Sequence, residues 1–77
     1  MSDEELKVLH DKHFDAGLAK AKATPYFERQ PHDEQALRVT NEVCDSVYRE
    51  IGTYGRDERQ RKAMDRYVRD KAMEVLS

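Results

Sequence analysis

Residues 36–51 read ALRVTNEVCDSVYREI. Projected at 100° per residue, Ala36, Leu37, Thr40, Val43, Cys44, Val47, Tyr48 and Ile51 share one side of a helix, while Glu34, Arg38, Glu42, Asp45 and Arg49 share the other. Acidic residues follow His32 at the start of this pattern, and Gly52 offers a left-handed cap at its end. The helix is therefore expected over 32–51.

Upstream, Ser2 and Glu5 have the spacing of a capping box, and Asp3, Glu4 and Glu5 suit the positive end of a helix dipole. Leu6, Leu9, Phe14, Leu18 and Ala21 form the apolar side, with His10, His13 and Gly17 on the same half. Pro25 biases Thr24 away from helical angles, which ends this helix near Ala23. Residues 24–31, TPYFERQP, read as a connection. Thr53, Tyr54 and Gly55 read as a short turn before a third helix that begins at Arg56 or Asp57. Met64, Tyr67, Val68, Ala72 and Val75 mark its apolar side, with Gln60 and Lys71 at the margins. The expected fold is all-α: a small three-helix bundle, up-down-up, with helices at about 3–23, 32–51 and 56–76, in one helical domain spanning 1–77.

A chain of 77 residues makes a core that supplies only about 3 to 5 kcal/mol of net stability. Val8, Val39 and Met73 fall outside the three stripes, where a second copy of the chain would cover them, so a homodimer is one expectation. The formal charge of −2 excludes a generally basic nucleic-acid binder and leaves electrostatic targeting to local patches. The single cysteine excludes an internal disulfide and fits a reducing compartment. The acidic N-terminus lacks secretory-signal character, and no apolar run has membrane-spanning length, so the expected location is cytoplasmic.

His10 and His13 lie on one helix face, with Cys44 and His32 as the conceivable further ligands. Zinc requires about three protein ligands and a defined second shell, and no CxxC or HExxH pattern is present. Packing of the two imidazoles is the favoured reading, and no metal or other cofactor is expected. Cys44, on the apolar side, reads as a small hydrophobe. Without a nucleophile–base pair, phosphate loop or complete ligand set, the chain is expected to be no enzyme.

Two features read as binding elements. Tyr26 and Phe27 form an aromatic pair in a loop bounded by prolines, with Phe27 expected inward and Tyr26 at the rim. Arg59, Lys62, Arg66 and Arg69 form a basic stripe on helix three. The competing reading is a solvated face, because Asp57–Arg61, Glu58–Lys62 and Asp65–Arg69 are acid-before-base pairs at four-residue spacing. The expected function is that of a small accessory or regulatory protein, of phage or bacterial type, acting through protein–protein contacts. The alternative is a dimeric helix-turn-helix-like DNA-binding regulator contacting DNA through Arg56, Arg59 and Lys62, disfavoured by Asp57 and Glu58 among those contacts.

Overall fold

In the computed structural model, which describes residues 1–52 and 57–77, Ser2 opens the first helix, α1, Asp3–Lys22, with the expected capping box. Its hydroxyl accepts from the Glu5 amide, and its own amide donates to the Glu5 carboxylate, both at 3.2 Å. The connection contains a single 3₁₀ turn, Phe27–Arg29, where the sequence reads simply as loop. The second helix, α2, spans His32–Ile51. It ends at Gly52 with φ 72° and ψ −135°, a positive-φ extended conformation open to glycine rather than the left-handed helical cap expected. The third helix, α3, spans Glu58–Leu76, and the Asp57 carboxylate caps it by accepting from the Gln60 amide at 3.2 Å. The expected turn at Thr53, Tyr54 and Gly55, and Arg56 with it, lies outside the described residues.

Side-chain contacts fix the topology. Lys12 and His13 of α1 reach Glu50 near the end of α2, and Gly17 meets Val43, so the first two helices are antiparallel. Asp3 contacts Arg59 and Gln60, and Asp11 contacts Tyr67 and Lys71, so α1 and α3 run parallel. The chain is thus an up-down-up bundle measuring 36 × 19 × 18 Å, with the helices along its long axis. No strand occurs among the described residues.

The core comprises Leu6, Phe14, Ala21, Phe27, Ala36, Val39, Val43, Val47, Met64, Val68 and Ala72. Its buried polar groups are satisfied: the Gln35 amide donates to the Phe27 carbonyl at 2.7 Å, and the Thr40 hydroxyl donates to the Ala36 carbonyl at 2.7 Å. Helix α2 is rotated from its expected phase. Gln35 and Val39 are buried, whereas Leu37 and Tyr48 are exposed and Cys44 is half-buried. The notch at Gly17 admits Val43 to the line of closest approach, and Phe27 recruits Gln35, which together turn the outer edge of the apolar arc toward solvent. Val39 is therefore no surface position for a second subunit; Val8 and Met73 remain exposed. On α3, Met64, Val68 and Ala72 recur every four residues and continue to Leu76, which packs on the core, while Val75 is exposed.

Candidate binding surface

The aromatic pair divides as its chemistry demands. Phe27 enters the core, whereas Tyr26 is 70% exposed. Tyr26 adopts φ 66° and ψ 13°, a left-handed conformation that costs a bulky L-residue about 1 to 2 kcal/mol. This turn lets two adjacent rings point to opposite sides. The Arg29 guanidinium lies 5.5 Å from the Tyr26 ring centre, beside a hollow of about 340 Å³ also lined by Lys22 and Thr24.

The cations of α3 fall into two sets. Arg59 donates to both Asp3 oxygens at 3.3 and 3.5 Å, Arg61 pairs with Glu58 at 3.1 Å, and Lys71 pairs with Asp11 at 3.0 Å. Gln60 and then Arg59 hold the Asp3 carboxyl below its usual range. Burial pushes Asp11 up, but hydrogen bonds from Lys71 and Tyr67 outweigh it and hold this carboxyl low as well. Lys62, Arg66 and Arg69 instead project from the bundle with no ion pair among the described residues. Among the described residues, Glu58–Lys62 and Asp65–Arg69, two of the four-residue pairs expected from sequence, do not form. Glu58 turns to Arg61, Asp57 caps the helix, and Asp65 accepts from Cys44. Arg59 thus belongs to the α1–α3 seam, and the basic stripe contracts to Lys62, Arg66 and Arg69.

Between α2 and α3 lies a groove of about 430 Å³ lined in part by Arg38, Asn41, Cys44, Tyr48, Arg61 and Asp65. Half-buried Cys44 lines it, and its thiol donates to Asp65 Oδ1 at 3.4 Å. Burial, reinforced by the Asp65 charge, pushes the thiol pKa up to about 12. Cys44 is therefore held as an unreactive thiol. Its labelling by a disulfide reagent at pH 8 is expected to run on the order of 10² to 10³ times slower than in the denatured chain; equal rates would contradict this environment.

The histidine pair is not convergent. His10 is buried and its Nδ1–H donates to the Leu6 carbonyl at 2.6 Å, whereas His13 Nε2 lies 3.1 Å from the Glu50 carboxylate. Among the described residues no three His, Cys, Asp or Glu side chains gather as metal ligands. Burial lowers the His10 pKa below the ordinary imidazole value, outweighing the favourable Leu6 hydrogen bond. Acid therefore favours the unfolded chain. Stability is full above the unfolded imidazole value of about 6.5 and is lost as pH falls from there toward the lower folded value. Melting temperature is expected to drop between pH 7.5 and 5.5 in the parent and to vary less in His10→Asn. A flat parent profile, or the same slope in both, would contradict this assignment. The depressed carboxyls Asp3, Asp11 and Glu50 act separately, their contributions disappearing only under more acidic conditions, below about pH 4.

The near-antiparallel α2 and α3 differ from a helix-turn-helix pair, whose helices cross at about 90 to 120°; Arg56, the first of the contacts that reading requires, lies outside the described residues. Comparison with known protein families, with curated proteins and with solved structures finds no match. The surface must be read from its own chemistry.

Sequence reasoning missed two features here. Tyr67 donates to both Asp11 oxygens at 2.9 and 3.1 Å while Lys71 also binds Asp11 and lies 4.5 Å from the Phe14 ring centre, closing the α1–α3 seam. The exposed edge of α2 at Leu37 and Tyr48 was assigned to the core. Its signal is an alternation of four and three residues through Leu37, Asn41, Cys44, Tyr48 and Ile51.

Proposed function

We propose that this chain is a small non-enzymatic binding protein of the cytoplasm that acts through protein–protein contacts, with the exposed face of α3 meeting an acidic protein surface. One observation carries the reading: Lys62, Arg66 and Arg69 stand side by side, with Asp70 at their margin, and make no ion pair among the described residues, while Arg59, Arg61 and Lys71 on the same helix are used within the fold. Cations left unpaired at a surface give complementarity and steering to an acidic partner. Helix α3 holds six cations and four acids, so positive charge is gathered on one element of a chain whose net charge is −2. Tyr26 adds an exposed aromatic anchor at the end of the bundle where α3 finishes. The single cysteine, kept as an unreactive thiol, accords with the proposed compartment.

Affinity capture from the native host with the parent and with a Lys62→Glu/Arg66→Glu/Arg69→Glu variant tests this reading. The parent is expected to retain a discrete protein that the variant loses. Gel mobility shifts with duplex DNA address the alternative. Submicromolar, salt-sensitive binding that the same substitutions abolish would favour the DNA-binding regulator.

A further inference from the structure

The apolar arc of α2 is wider than the bundle covers. With Val39, Val43 and Val47 in the core, Leu37 is left 38% exposed and Tyr48 52% exposed, and half-buried Cys44 lies between them. Together with Asn41 and Ile51 they keep the 3.5-residue average spacing of a helix–helix seam. From Leu37 to Ile51 this seam is about 21 Å long, at about 1.5 Å per residue. Asp65 lines both the α2–α3 groove, which also carries Glu42 and Asp45 on its α2 side, and an adjoining hollow of about 380 Å³ bordered by Lys62, Arg66, Arg69 and Asp70. The seam and these three cations, which make no ion pair among the described residues, therefore flank one surface.

We propose that this α2–α3 face receives an acidic amphipathic helix of a partner protein, which completes a four-helix arrangement. The inference rests on the reading of α3 as a protein-binding surface and adds the form of the partner. Apolar side chains of the incoming helix, spaced by four and three, meet Leu37, Cys44 and Tyr48. Carboxylates on its flank meet Lys62, Arg66 and Arg69. A second copy of the chain is less well matched, because a two-fold axis through this face brings two basic stripes into one interface.

The test uses fluorescein-labelled 15-residue peptides and anisotropy at low and physiological salt. The first peptide carries leucines at positions 1, 5, 8 and 12, with glutamate and alanine elsewhere; the second has the same composition scrambled; the third replaces glutamate by lysine. The first is expected to bind at least about tenfold more tightly than either control, and Tyr48→Ala to weaken it about tenfold, the effect of losing a well-placed aromatic contact. Lys62→Glu/Arg66→Glu/Arg69→Glu is expected to shift the preference to the lysine peptide. Unchanged melting temperatures of these surface variants would tie the changes to binding. Equal binding of the ordered and scrambled acidic peptides would overturn the helix-in-groove inference while leaving acidic recognition intact. No preference for glutamate over lysine would overturn both. Sedimentation showing a dimer at or below about 100 μM that Tyr48→Ala dissolves would assign the face to a second copy and overturn the inference.

Discussion

Val47→Asp is expected to leave most of the chain unfolded at 25 °C, whereas Asp45→Ala should melt within a few degrees of the parent. Val47 is fully buried on the inner face of α2. Burying a carboxylate on this apolar face costs several kcal/mol, comparable with the stability of a domain this small, at most about 3 to 5 kcal/mol. Asp45, two residues away, is exposed and pairs with equally exposed Arg49 at 3.7 Å. Such pairs contribute at most about 1 kcal/mol. Thermal melts followed by circular dichroism compare the two. Equal melting temperatures would place Val47 outside the core and undo the assigned phase of α2.

Gly17→Val is expected to destabilise the bundle by about 3 kcal/mol, the upper part of the usual range for overpacking. A Cβ at residue 17 would lie 2.5 Å from Val43 Cγ2, 3.1 Å from the Val43 amide nitrogen and 3.2 Å from its Cα. Val43 is β-branched and cannot easily rotate aside, and its backbone yields only if α1 and α2 separate. Gly17→Ala isolates the same contact, because greater helix propensity returns about 1 kcal/mol to offset part of the clash. Combining Gly17→Ala with Val43→Ala should then cost less than the two single effects together by about 1 kcal/mol. Strictly additive urea-unfolding energies would show that the helices do not meet at this pair.

The up-down-up architecture was legible because its signals are local. Ser2 with Glu5, Pro25, the acidic start of α2 and the glycine after Ile51 mark helix ends within a few residues of where they occur. The phase of α2 was not legible to the same degree. Its apolar arc includes both Val39 and Leu37, and only the approach of α1 at Gly17 decides which of them is buried. That decision depends on a residue more than twenty positions away, beyond any helical-wheel analysis. The basic stripe was visible as a pattern, but its division was not. Arg59 finds Asp3 across the bundle, and Asp65 is taken by Cys44 instead of Arg69. Long-range pairing thus separated structural cations from available ones. Tyr26 and Phe27 could be assigned opposite directions from sequence because adjacent rings at a chain turn rarely enter the same core, although the left-handed backbone at Tyr26 carried no local signal.

A photo-crosslinking amino acid placed in the living host tests the central claim most directly, once in place of Arg66 on the exposed face of α3 and once in place of Asp15 on the exposed side of α1. Position 66 is predicted to yield a discrete protein adduct that position 15 does not. Nucleic-acid adducts from position 66, or the same protein adducts from both positions, would contradict a protein-binding surface built on α3.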